Sequence, residues 1–260
     1  MSGISPSILA LDFDGVVCDG LIEYFQTSWR SYCRVWSSSN QTQPEGLAAK
    51  FYQLRPVIEV GWEMPVLLRA LILGFSEDNI WRDWVGVAQQ ITSEEGLKAA
   101  EIGAILDGVR DEWIAEDLEG WLGLHRFYPG VIEKLRGAIA NSVKLYIVTT
   151  KEGRFVRQLL QEQSVEIPEE RIIGKEYKRP KYEILRELIA AGGSALNIWF
   201  VEDRLKALQL VQQQPNLTSV RLFLADWGYN TQQIRDSIRD DNRIKLLSLS
   251  QFTEDFAAWL

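Results

Sequence analysis

Residues 8–20 read ILALDFDGVVCDG, and the fold of the chain is decided there. Ile8, Leu9, Ala10 and Leu11 form an unbroken apolar run, the pattern of a strand buried on both faces of a parallel sheet. The run stops at Asp12, and Asp14 follows after one residue. An Asp-x-Asp at such a strand tip puts two carboxylates where the backbone leaves the sheet, and Gly15 behind them permits close approach of a ligand. Asp12 is placed to attack phosphorus as a carboxylate nucleophile. Asp14 is placed to protonate the leaving oxygen and then to deprotonate water. A calcium loop has similar acidic spacing, but it requires glycine at its sixth position and a helix in front, whereas Val17 stands there after a strand.

Working outward, comparable apolar runs occupy residues 144–149, 171–174, 197–201 and 220–224, with helical patterns at 154–163, 181–191 and 204–213. This alternation predicts an α/β fold, a doubly wound parallel sheet of Rossmann-like type with right-handed crossovers. Ligands of such sheets bind at the carboxyl ends of the strands. Residues 21–124 read as helices throughout and are too many for one crossover loop, so they predict an inserted all-helical cap domain. The chain returns at HRFYPGV (125–131), which makes 1–20 and 125–260 the core. Residues 37–43 are polar enough for a loop.

Three further segments carry chemistry. In KLYIVTTKEGRF (144–155), Thr149 at a strand end offers its hydroxyl to a phosphate oxygen, and Thr150 and Lys151 stand at the top of the next helix, whose N-terminus favours anions. In IGKEYKRPKYEIL (173–185), Lys178 or Lys181 is a candidate to neutralise the nucleophile and the phosphoryl oxygens. In NIWFVEDRLKAL (197–208), Glu202 and Asp203 leave the sheet on the same edge as Asp12 and form a hard oxygen site suited to Mg2+. Taken singly, each has a plainer reading: a helix cap, a basic loop, an acidic first turn.

The 260 residues, 46% hydrophobic and 25% charged, suffice for a core carrying a smaller domain. The net charge of −8 repels nucleic acid and anionic membrane, so neither is expected as a partner. Two cysteines point to a reducing compartment, and a single histidine, His125, all but excludes zinc or a Ser-His-Asp triad. The most apolar stretch, residues 64–75, is too short to span a bilayer and contains Arg69. Residues 1–15 lack the basic start of a signal peptide, so the expected location is the cytosol, or a plastid after removal of a transit peptide. Most tryptophans between 29 and 121 are expected to pack, His125 to be a hinge residue, and Arg55 is a candidate for reading the far end of a substrate.

In their order, these segments resemble the haloacid dehalogenase-like hydrolase superfamily, over residues 8–20 and from 128 to about 210. FYPGVIEKL and IVTTKEGRFVRQLL resemble its phosphoglycolate phosphatase branch, and FVEDR and DWGYN a subgroup from cyanobacteria and plant plastids. The resemblance implies a Mg2+-dependent phosphatase acting on a small phosphorylated metabolite, such as phosphoglycolate or a sugar phosphate. It further implies Asp12 as nucleophile carrying an aspartyl-phosphate, Asp14 as general acid/base and as a metal ligand through its carbonyl, Thr149 on the phosphoryl oxygen, and Glu202 with Asp203 on the metal. Two positions depart from the pattern: Glu202 stands where many relatives have glycine, and Ala207 where they have a further acid. Relatives place the lysine before a proline, where this chain has Arg179; Lys181 is the preferred counterpart and Lys178 the second. A phosphomutase of the same fold, or a silent binding or regulatory protein, are the alternatives. The chain is expected to be a monomer or homodimer.

Overall fold

In the computed structural model, which describes residues 5–37, 42–192 and 197–260, the apolar run becomes β1 (Ile8–Leu11), with every residue buried. Part of the polar stretch 37–43, residues 38–41, lies outside the described residues. After β1 the chain folds back on itself: the N–H groups of Val17 and Cys18 both donate to the Phe13 carbonyl, and the Gly15 N–H donates to that of Cys18. This turn leads into a two-residue strand, β2 (Cys18–Asp19). The chain divides into two compact units, one of Met1–Asp19 with Arg126–Leu260 and one of Gly20–His125.

The second unit is helical: α1 (Leu21–Val35), α2 (Leu47–Leu54), α3 (Glu63–Leu73), α4 (Glu77–Glu94), α5 (Ala99–Glu116) and α6 (Leu118–Leu122). The most apolar stretch of the sequence is α3, whose Val66, Leu67, Leu68 and Ala70 are wholly buried, so its hydrophobicity serves the core of this unit. Among the described residues no helix is long and apolar enough to cross a membrane. Trp29, Trp84, Trp113 and Trp121 are buried, as packing predicts, Trp36 and Trp62 are half-buried, and Trp81 is exposed. His125 is buried too, its ring edge-on to Trp121 and its Nδ1 against the carbonyls of Trp121 and Leu122.

The first unit resumes with β3 (Arg126–Phe127), antiparallel to β2, and then α7 (Val131–Ala140), β4 (Lys144–Val148), α8 (Gly153–Glu162), β5 (Ile172–Ile173) and α9 (Lys181–Gly192). It continues through β6 (Ile198–Glu202), α10 (Leu205–Gln212), β7 (Arg221–Ala225), α11 (Gln232–Ser237), β8 (Ile244–Leu247) and α12 (Leu249–Thr253). Six parallel strands form one sheet in the order β5-β4-β1-β6-β7-β8. The parallel α/β reading holds; β8 and the β2–β3 pair are additions that the sequence patterns did not suggest. From β1 the chain builds outward to β4 and β5 on one side and then to β6, β7 and β8 on the other, so the order reverses at β1. Crevices at such switch points are where open α/β sheets bind ligands.

Inside the helical unit the fully buried Glu23 accepts hydrogen bonds from Arg110 Nε (2.8 Å), Thr27 Oγ1 (2.7 Å) and Trp121 Nε1 (3.1 Å). Arg110→Ala would leave this carboxylate buried without its cation and should cost about 3–5 kcal/mol, read as a lower urea midpoint. A loss below about 1 kcal/mol would refute this role.

Candidate active site

Register brings the site together. Leu11 pairs with Ile147 of β4 and with Val201 of β6, so the next residue, Asp12, stands beside Val148 and Glu202. The Asp12 N–H continues the ladder to the Val201 carbonyl, and the Thr149 N–H does the same to Ile173. The acids, Thr149 and the start of α9 thus share the carboxyl edge of the sheet.

Lys181, the first residue of α9, reaches into this edge. Its Nζ lies 3.0 Å from Asp12 Oδ1 and 2.6 Å from Glu202 Oε2. The Phe13 N–H also donates to Asp12 Oδ1 (2.7 Å), so both of these contacts fall on one carboxylate oxygen. Glu202 is fully buried, and its Oε1 accepts the Arg204 N–H (3.1 Å). Asp203 Oδ2 accepts the Tyr229 N–H (2.7 Å). Oxygens of Asp12, Glu202 and Asp203 lie within 4.8 Å of one another. Asp14 is not among these three side chains; its carboxylate faces Lys151 Nζ at 3.3 Å.

The two candidate lysines therefore separate. Lys178 is exposed, in a left-handed conformation (φ 51°) at the end of a 3-10 turn, while Lys181 carries the contacts. Thr149 is buried and its Oγ1 accepts the Lys151 N–H (3.2 Å), which leaves the hydroxyl hydrogen to donate elsewhere. Thr150 is exposed. Neither Thr150 nor Lys151 stands at the top of a helix: α8 begins only at Gly153, and its first N–H is taken by Glu176 Oε2 (3.1 Å), a carboxylate already in the place expected for an anion. Gly15 is needed for a different reason from the one expected. At φ +87° a Cβ there would overlap the Asp203 carboxylate, so the close approach is made by the protein's own acid. Arg55 belongs to the helical unit, where it donates to the Ile58 carbonyl (3.1 Å) and lies over the Tyr24 ring. Ala207 offers no donor in α10, and Glu202 brings its carboxylate into the cluster from the strand end.

Sequence reasoning missed the residues around Asp203: Trp227, Tyr229, Asn230 and Arg235. A signal existed, because residues 226–230 follow the end of β7 on the same sheet edge as the other strand tips.

The donor set is one that a hard divalent cation fits: three carboxylates, no sulfur or imidazole. The charge points the same way, because the three acids outnumber the one ammonium bonded to them, with Arg204 as a further cation acting on Asp203. Burial, then Glu202, pushes Asp12 up to about 7 against the opposing pull of Lys181. Glu202 and Asp203 are raised as well, chiefly by burial. Burial disfavours the Lys181 ammonium, but Asp12 and Glu202 outweigh it and hold the lysine charged.

No family model and no curated protein matches the chain. Among solved structures it is similar to a "predicted phosphoglycolate phosphatase" from Haemophilus somnus 129pt, at 18% identity and TM-score 0.60 over 94% of this chain and 95% of that one. It is also similar to a haloacid dehalogenase-like hydrolase from Streptococcus pneumoniae (15%, TM-score 0.56, 92% and 94%). A third, the protein tyrosine kinase PtkA from Mycobacterium tuberculosis, matches at 14% and TM-score 0.56 over 95% and 96%. The chain has the fold of the haloacid dehalogenase-like hydrolases.

Between 3.8, the ordinary value of Asp12, and about 7, the native protein binds protons that the unfolded chain has released. Stability without metal therefore falls as pH rises through that window: the penalty is absent below it and complete above it. The melting temperature in chelator should drop from pH 5 to pH 8, and Asp12→Asn should flatten the profile. A rise over this range in the unaltered protein would contradict the assignment.

Proposed function

We propose that this chain is a Mg2+-dependent phosphatase that passes the phosphoryl group of a small metabolite through Asp12 to water. The observation that carries the reading is Asp12 at the tip of the central strand, bound to Lys181, with Glu202 and Asp203 beside it. The carboxylates of Asp12, Glu202 and Asp203, with the Asp14 carbonyl, would hold the cation, which would neutralise charge on the phosphoryl oxygens.

Asp12 attacks through Oδ2, the oxygen opposite the one that Lys181 and the Phe13 N–H occupy. An Oδ2–phosphorus bond forms as the ester oxygen–phosphorus bond breaks, and Asp14 gives its proton to the leaving oxygen. Lys151 Nζ, 3.3 Å from Asp14 Oδ1 in the structure, is placed to stabilise the carboxylate that remains once the proton is given. In the second step Asp14 takes a proton from water as the water oxygen attacks phosphorus, and Asp12 departs as a free carboxylate with inorganic phosphate released. Thr149 donates its hydroxyl to a phosphoryl oxygen, and Lys181 keeps positive charge beside the nucleophile through both steps. The fold is compatible with other phosphoryl-transfer outcomes, so the reading rests on the site.

A panel of phosphorylated metabolites, with and without Mg2+, tests it by free phosphate. Release should require Mg2+ and vanish in Asp12→Asn, and Asp14→Asn should lower kcat by about 10²–10⁴. Lys181→Ala should lower it by about 10²–10³. A folded protein that releases phosphate from none of the compounds would sink the proposal and favour the mutase or the silent binder.

A further inference from the structure

Asp203 is held at both its carboxylate and its main-chain carbonyl by a part of the chain that contributes no acid to the cluster. The segment 226–230, reading DWGYN, follows β7 and returns over the tip of β6. Its Tyr229 N–H donates to Asp203 Oδ2 (2.7 Å), and Asn230 Nδ2 donates to the Asp203 main-chain carbonyl (2.9 Å). Carboxylate and backbone of one residue are thus gripped by two consecutive residues of one loop. Glycines close in from both sides. A Cβ on Gly15 would overlap the Asp203 carboxylate, and one on Gly228 would overlap the Asp203 Cβ and crowd the Gly15 carbonyl.

The loop is itself braced. The second Asn230 Nδ2 hydrogen goes to the Ala225 carbonyl (2.8 Å), and Asn230 Oδ1 accepts from Arg235 NH1 (3.0 Å). The buried amide therefore uses both donors and its acceptor. Arg235 NH1 also reaches the carbonyls of Asp226 (3.0 Å) and Asn230 (3.3 Å), pinning the two ends of the loop together. Between them, Trp227 Nε1 donates to the Val16 carbonyl (3.1 Å) in the turn behind Asp12, and its ring packs on Phe252, which stacks on Trp259. Tyr229 Oη bonds Asp19 Oδ1 (2.9 Å).

We infer that segment 226–230 and Arg235 form a clamp that sets the orientation of Asp203 for the cation, with Asn230 and Arg235 as positioning residues. The inference rests on reading Asp12, Glu202 and Asp203 as a cation site. Groups that hold a ligating carboxylate in place govern metal affinity almost as strongly as the ligands themselves. Asn230 and Arg235 touch neither cation nor substrate; they act through Asp203.

Mn2+ binding, followed by the electron paramagnetic resonance signal of the free ion, tests the clamp without turnover. The dissociation constant should rise by about 10- to 100-fold in Asn230→Ala and by up to about tenfold in Arg235→Ala. The arginine variant discriminates by sign: loss of a positive charge alone would tighten cation binding, and loss of the clamp weakens it. Arg239→Ala, which removes the same charge from an exposed position, should leave the affinity unchanged. Should circular dichroism find Asn230→Ala unfolded, Arg235→Ala, at a partly exposed position, decides alone. Wild-type affinity in the folded variants would overturn the clamp and leave the cation site standing. Failure of the unaltered protein to bind Mn2+ would overturn the cation site, and the clamp with it.

Discussion

One ammonium between two buried carboxylates organises the candidate site. Lys181 stands 3.0 Å from Asp12 and 2.6 Å from Glu202, and both acids would otherwise be driven towards their neutral forms by burial. A nucleophile must be ionised, and burial is what makes an ionised carboxylate reactive by stripping its water. The lysine reconciles the two demands only in part, because burial and the neighbouring Glu202 still push Asp12 up, and Asp203 adds a third acid to the cluster. What remains is an excess of negative charge matched in size and hardness to a divalent cation.

The helical unit supplies a contrast within the same chain. Glu23 is as deeply buried as Glu202, yet it has a full set of partners in Arg110, Thr27 and Trp121. A buried acid whose charge and lone pairs are met serves the fold, and its value lies in the damage done when a partner is removed. A cluster whose acids outnumber its cations calls for something from outside. By this criterion these two buried networks have different purposes, although each centres on a glutamate.

The geometry follows from the order of the strands. Because β1 lies where that order reverses, its tip is flanked by the tips of β4 and β6, and three distant segments of sequence meet at Asp12. Pro180 fixes the backbone immediately before α9, so that Lys181 opens the helix facing this edge while Lys178, in its left-handed turn, stays in solvent. Two glycines and the DWGYN loop then close on Asp203, which leaves the acid little rotational freedom.

Much of this was legible in the amino-acid sequence. The apolar run ending in Asp12, the strand–helix alternation after residue 144 and the helical interval before it are local patterns, and the sheet and helices they predict are present because burial periodicity is a property of neighbouring residues. Strand-tip logic likewise selected Asp12, Thr149, Glu202 and Asp203. Sequence preferred Lys181 to Lys178 by its place at the helix start, and the turn before α9 puts Lys181 on the carboxylates and Lys178 in solvent. It assigned Gly15 to a ligand where tertiary packing assigns it to Asp203, and it set Lys151 on a helix end where the fold sets it against Asp14. The short strands β2, β3 and β8 and the grip of Asn230 on Asp203 were invisible for one reason: their partners lie tens to more than a hundred residues away, and only the folded chain brings such groups within a hydrogen bond's length.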